Sequence, residues 1–266
     1  MSTIKRMPDK YPGSEDYQAR LKPILQGTRR EDDVEEFDLI LNWTVARYEA
    51  AQDFRKATDN RSRKMLSRFD LEEPDMFAAF ETFSALEKSE QKTMAYLVQQ
   101  HPMYERIVGF CGLDDVLAAR IIGNLPDLWY FETVSKLWAF FHMDGHDWRE
   151  LVKETKKGGK KRYRGSPQLR SLAWNMGRLI MQYGKEGAKK DPRFGLVCQE
   201  RLKYEASKPG CNNPLKDKKG VVYSDCNKVR CSTLHQERKA KVYAVKSFLA
   251  YLWEEWRRVM PEPIRA

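Results

Sequence analysis

The sequence predicts an all-α protein. A long N-terminal helical hairpin precedes a helix-hairpin-helix-containing helical domain, whose basic C-terminal part a zinc ion could staple. Three observations carry this. Apolar residues recur at steps of three or four through most segments free of Gly and Pro, the period that gives a helix one apolar face. From Glu31 to Glu73 no Gly or Pro interrupts the chain. The one convincing strand-like piece, Gly220-Val221-Val222-Tyr223, stands among polar, turn-forming residues and reads as part of a loop.

Residues 1–30 carry Pro8, Pro12, Gly13, Pro23 and Gly27 among charged residues and read as a loosely ordered, flexible arm. Residues 31–100 form the acidic hairpin. Its first helix is set by Val34, Phe37, Leu41, Val45 and Tyr48, and Pro74 marks its end or a break before it. The second carries Phe77, Phe80, Phe83, Leu86, Met94, Leu97 and Val98. It stops near His101-Pro102, because a residue preceding proline disfavours helical backbone. Such stripes form a core, or the seam of a homodimer through the long N-terminal helices.

Residues 101–266 form a basic helical domain. Short helices are predicted over Tyr104–Phe110, Val116–Asn124 and Thr133–Phe141, separated by Gly112-Leu113-Asp114 and Pro126-Asp127. A polar, basic connector spans 144–165. Longer helices follow over Pro167–Tyr183, Pro192–Lys208 and Leu234–Val259.

Charge is segregated. Residues 1–150 hold 20 Lys and Arg against 27 Asp and Glu, a net of −7; residues 151–266 hold 28 against 11, a net of +17. An excess of this kind is the electrostatic footprint of a polyanionic partner, nucleic acid foremost. Five cysteines, an odd number, and no apolar segment after Met1 point to a reducing, cytoplasmic setting where thiols stay free or bind metal. That setting becomes nucleoid-associated if DNA is the partner. No run approaches the roughly 18 consecutive apolar residues of a membrane span, so no membrane partner is expected.

Within the basic domain, Ile107 to Ile122 has the cadence of a helix-hairpin-helix, whose tight glycine turn can offer backbone N–H groups to a phosphate. Gly112, Leu113 and Ala118 fit that pattern. Asp114 stands where a second glycine is expected, and a carboxylate there caps the following helix while repelling a phosphate. The turn therefore either grips a phosphate or simply joins two helices. The connector adds Lys153, Lys156, Lys157, Lys160, Lys161, Arg162 and Arg164, with Gly158-Gly159 and the aromatic Tyr163. It leads into a well-formed helix start: Ser166 is a good N-cap, Pro167 suits the first helical position, and Gly184 closes the helix. Leu169, Leu172, Ala173, Met176, Leu179, Ile180 and Tyr183 form its buried face. The candidate nucleic-acid contacts are Gly112, Lys156, Lys157, Lys160, Lys161, Arg162, Arg164, Ser166, Arg170, Lys218, Lys219, Arg238 and Lys241, with the basic face of the last helix, Lys239 and Lys246 included, turned to solvent or phosphate.

Cys211, Cys226, Cys231 and His235 are spaced C-x14-C-x4-C-x3-H. Tetrahedral zinc takes four N or S ligands, and a Cys with a His four residues on lies on one face if the last helix begins near Ser232. The set reads as a structural zinc site or as unrelated reduced thiols, with Cys198 a substitute ligand. His142, Asp144, His146 and Asp147 fall within six residues, but Gly145 breaks the helical face that would align them, and they read as a loop at a helix C-terminus.

Four segments together resemble a known family: Gly112 to Ile122; Asp127-Leu128-Trp129-Tyr130-Phe131; Lys136 to Phe141; and Gly165-Ser166-Pro167-Gln168-Leu169-Arg170. In order and spacing they look like the C-terminal transposase domain of the Piv/MooV-type invertases and bridge-RNA-guided insertion-sequence transposases. The resemblance spans residues 100–185 and, more loosely, Ala240 to Lys246. It implies a helix-hairpin-helix-like domain engaged in DNA recombination, with RNA guides. The chain departs from the family in two places. The family pairs this domain with a RuvC-like α/β nuclease, whereas residues 1–100 read as helices. The family also places a nucleophilic Ser ahead of the last motif, whereas 144–164 contains no Ser. Ser166, already explained by N-capping, is left as a weak catalytic candidate.

The reading is a nucleic-acid-binding protein, transposase-related but lacking the nuclease half, with DNA favoured as partner and no catalytic role expected. The alternatives are an active strand-transfer recombinase using Ser166, and a structured-RNA-binding or protein-interaction module.

Overall fold

The structure, a computed structural model, describes residues 34–69, 76–125, 128–143, 167–208, 210–211 and 231–260. Among these residues the named elements are all helical, and the protein is all-α. The helices are α1 (Val34–Phe69), α2 (Met76–Val98), α3 (Tyr104–Val108), α4 (Asp115–Asn124), α5 (Val134–Phe140), α6 (Pro167–Tyr183), α7 (Arg193–Ser207) and α8 (Thr233–Val259), with a 3-10 turn at Leu128–Tyr130. No helix among the described residues is long and apolar enough to cross a membrane. The chain divides into two compact units, Met1–Leu97 and Val98–Ala266. The arm 1–30, the whole connector 144–165, Ser166 and Gly220-Val221-Val222-Tyr223 lie outside the described residues.

In the first unit, Phe37, Ile40, Leu41, Thr44, Val45, Tyr48 and Ala51 are buried along α1, and Met94 and Leu97 along α2. Thr44, polar in this stripe, donates its hydroxyl to the Ile40 carbonyl one turn back. Cross-contacts run in opposite order along the two helices. Arg47 pairs with Glu90 and Arg55 with Glu87, and Phe54 stacks on Phe83 with ring centroids 5.4 Å apart. The helices are therefore antiparallel. Burial pushes the Glu87 carboxyl up, but hydrogen bonds from Arg55 and Gln52 outweigh it and hold it below its ordinary range. Past Ala51, Phe54 is 59% exposed despite its stacked partner.

In the second unit α8 is the central element. Its stripe, Ala240, Ala244, Val245, Phe248, Leu249, Leu252 and Trp256, is buried at steps of one, three and four. Full burial of a side chain such as Phe248 stabilises by about 1.5–3 kcal/mol. Phe248 joins Phe110 and Phe194 in an edge-to-face cluster, Phe194 lying 5.4 Å from it and Phe110 6.3 Å. Three indole N–H groups tie the α5 region to α8 through carbonyls: Trp129 to Met260, Trp138 to Lys246 and Trp253 to Phe131.

The α6–α7 corner depends on two glycines. A Cβ on Gly195 would lie 1.9 Å from the Gly184 carbonyl oxygen, and one on Gly184 2.6 Å from the Gly195 Cα. No side chain fits at either place. The contact carries the chain away from the core directly after α6, so Tyr183, the last residue of the predicted apolar face, is 52% exposed instead of buried. Leu169, Leu172, Ala173, Met176 and Ile180 of that face are fully buried, and Leu179 is half-buried against the Gly112 turn.

Candidate metal centre and basic surface

Helix α8 begins with Ser232 as N-cap, its backbone extended and its hydroxyl accepting from the His235 N–H. Cys231 sits just before the cap and His235 one turn after it, so a C-x3-H pair falls on one side of the helix start. Gln236 Nε2 also donates to the Cys231 carbonyl, fixing the approach of the chain. Shortly after the end of α7, Cys211 brings a second sulfur alongside. Cys211 Sγ lies 3.2 Å from His235 Nδ1, and the donor atoms of Cys211, Cys231 and His235 all lie within 4.8 Å of one another. Ligands around one tetrahedral zinc sit about 3.5–3.8 Å apart, as follows from Zn–S and Zn–N bonds near 2.3 and 2.1 Å. Both sulfurs are buried, Cys211 at 1% and Cys231 at 4% exposure, and the donor set is two thiols and an imidazole. These three residues can hold a metal ion. Cys226, the fourth predicted ligand, lies outside the described residues. Cys198, the substitute ligand, is buried on α7, and burial pushes its thiol up to about 11.

Beside the cluster stands a pairing not visible in the helical periodicity. Lys239, one turn after His235, reaches inward: its Nζ is 3.9 Å from Cys211 Sγ, 3.8 Å from Cys231 Sγ and 3.4 Å from Glu205 Oε2. Glu205, on α7, is 1% exposed and is also paired with Arg201 and Lys208. Burial opposes the charge on both residues. The cations around Glu205 overcome that and hold its carboxyl below the ordinary range, while the Cys211 and Cys231 sulfurs and Glu205 hold the Lys239 ammonium above its ordinary value. Lys239 was expected to face solvent or phosphate. It stays about a third exposed and is paired with a buried carboxylate on the neighbouring helix.

The second feature lies around Gly112, in the turn between α3 and α4. Gly112 has φ +81°, and a Cβ there would lie 2.6 Å from the Leu179 carbonyl group of α6. Glycine is thus required both for the left-handed turn and for the close approach of α6. Asp114 caps α4 with its carboxylate accepting from the Leu117 N–H at 2.8 Å. The turn is locked to the segment before α7: Cys111 N–H donates to the Asp191 carbonyl, Asp191 N–H to the Gly109 carbonyl, and Lys190 Nζ to the Leu113 carbonyl. The result is a cleft of about 460 Å³ lined by Cys111 to Asp114, Leu179, Tyr183 and Ala188 to Lys190. Lys189 and Lys190 were not among the predicted contacts. Their adjacency and the following Asp191-Pro192 helix boundary were the available signal.

The other predicted contacts are dispersed. Arg170 is part-buried on α6 and Arg238 on α8. Lys241 is paired with Glu237, its Cβ against Gly177, and Lys246 lies over the Trp138 ring. Lys156, Lys157, Lys160, Lys161, Arg162, Arg164, Ser166, Lys218 and Lys219 lie outside the described residues. His142 ends α5 with a left-handed backbone, φ 53°, and its companions Asp144, His146 and Asp147 also lie outside.

Comparison with protein-family models finds none that matches the chain, and comparison with curated proteins and with solved structures finds no match either.

Proposed function

We propose that the protein binds nucleic acid, DNA by preference, by gripping the phosphate backbone with its basic C-terminal unit. The observation that carries this reading is the cleft in which the Gly112 turn and the Lys189-Lys190 pair meet. Asp114 already occupies an amide at the start of α4, so the contact with phosphate falls to the two lysines instead of the helix end. Backbone contacts of this kind carry no base sequence and suit a duplex or a branched DNA. The +17 excess of residues 151–266 supplies the long-range attraction.

Zinc is the metal this donor set favours, because two thiolates and an imidazole suit a soft to borderline ion. Cys211, Cys231 and His235 would hold it, with Cys226 completing four ligands. Bound there, zinc supplies structural cross-linking: it fastens the two ends of the Lys-rich segment 212–230 to the start of α8. The chain's own residues prepare the place. Ser232 starts the helix that presents His235, and Lys239 offsets the negative charge of thiolate sulfurs.

The transposase-like order of motifs in residues 100–185 is consistent with a DNA partner. Residues 34–69 and 76–98, which form helices α1 and α2, do not provide the sheet of a RuvC-like nuclease. Binding without strand transfer is the activity proposed. Titrating a fluorescently labelled duplex with the protein at a series of salt concentrations tests it. The association constant is expected to fall linearly on a log–log plot, and an affinity that does not fall with salt would remove the phosphate grip.

A further inference from the structure

Between α7 and α8 lies a surface that the phosphate grip does not use. Arg201, Tyr204 and Glu205 along α7 and Lys208 at its C-terminal cap recur at steps of three or one on one side; Lys239 and Tyr243, four apart, share a face of α8. Tyr204 and Tyr243 are 53% and 46% exposed. The Arg201 guanidinium lies over both rings, 4.7 Å from the Tyr204 centroid and 4.9 Å from that of Tyr243, and Lys208 Nζ is 4.2 Å from the Tyr204 centroid. Beneath them Glu205, 1% exposed, holds Arg201, Lys208 and Lys239, whose side chains remain 30%, 36% and 32% exposed. The carboxylate is hidden and the cations are not. Outward, the face presents two aromatic rings and a guanidinium bridging them, within a positive surround.

We propose that this face is a stacking platform for unpaired nucleotide bases. The inference rests on the nucleic-acid reading above and adds the strand state of the partner. A duplex hides its base faces and offers phosphates, for which lysines suffice. An unpaired strand offers both phosphates and flat π-faces, and tyrosine rings with arginine planes are the groups that stack on them. Two large rings are held at the surface by the same guanidinium, where an ordinary helix pair would bury them or use polar residues. An acidic protein segment would use the cations but would have no need of two rings bridged in this way. The platform and the Gly112 cleft together suit a duplex with an unpaired flank.

The test uses the full-length, metal-loaded chain and fluorescence anisotropy with two labelled DNAs, a blunt duplex and the same duplex carrying single-stranded tails. The wild type binds the tailed DNA more tightly. Replacing both rings, Tyr204→Ala with Tyr243→Ala, weakens tailed binding by roughly fivefold to 150-fold per stacked base and leaves blunt binding within about twofold. Tyr204→Phe with Tyr243→Phe keeps the tail preference, because the π-face is retained. Circular dichroism verifies the fold; should the double alanine variant not fold, Tyr204→Ala alone, at the more exposed ring, carries the comparison. Tailed and blunt DNA bound alike by the wild type, or a tail preference unchanged in the alanine variants, overturns the platform. Competition by polyglutamate that depends on the two rings also overturns it, in favour of an acidic protein partner. Wild-type protein that binds neither DNA overturns the nucleic-acid reading itself.

Discussion

Glu205→Gln removes one charge without changing the shape of the side chain, and the structure places unusual weight on that charge. Its carboxylate is 1% exposed and is shared by Arg201, Lys208 and Lys239, each about a third exposed. Breaking a fully buried ion pair costs about 3–5 kcal/mol, and an exposed pair contributes about 0–1 kcal/mol. Because the cations retain contact with water, the expected loss is reduced to about 2–3 kcal/mol. Urea unfolding followed by tryptophan fluorescence reads this out, since six of the seven tryptophans lie after residue 98. The pH dependence gives an independent signature. In the fold Glu205 is held below its ordinary range by its cationic partners, against burial. Its contribution is therefore complete above the unfolded carboxylate pKa, near 4.3, and is lost as pH falls through the lower folded value. Wild type should lose stability over that acidic interval and the Gln variant should lose less. A difference at neutral pH below about 0.5 kcal/mol, or an acid loss that is equal in both proteins, would refute the assignment of Glu205 as the charge that organises the α7–α8 junction.

Gly195→Ala is expected to destabilise the second unit by more than about 3 kcal/mol, since its Cβ would overlap the Gly184 carbonyl at 1.9 Å; a melting temperature within a few degrees of wild type would contradict that packing. Cys198, buried and with its thiol pushed up to about 11, should stay unmodified by a thiol alkylating reagent at neutral pH until the protein unfolds; mass spectrometry of the native protein decides. Purified protein should contain one zinc per chain, lost in Cys231→Ser together with thermal stability; a metal-free preparation with unchanged melting would dissolve the metal centre.

Features local in sequence were legible. Pro167 and Gly184 bracket α6, which occupies Pro167–Tyr183 as its residue pattern requires. Ser232 announces the start of α8, and with it the shared face of Cys231 and His235, so the metal cluster could be proposed from spacing. What escaped depends on groups distant in sequence. Lys239 pairs with Glu205 on another helix, and no periodicity along α8 encodes that. Tyr183 leaves the apolar face because Gly184 and Gly195 meet. Lys189 and Lys190 reach Gly112 through a short parallel bridge between Phe110 and Asp191, a contact across about 80 residues of chain. The α1 stripe read from Phe37, Leu41, Val45 and Tyr48 is buried as its spacing requires, whereas the exposure of Phe54 depends on its place against Phe83 of the other helix.

The proposed phosphate grip at the Gly112 cleft is tested most directly by comparing the salt dependence of duplex binding in wild type and Lys189→Ala. A lysine on a phosphate contributes close to one released counterion, so the slope of log K against log salt should become shallower by about one in the variant, with affinity lower at every low-salt point. An unchanged slope and affinity would show that the cleft is not where nucleic acid binds.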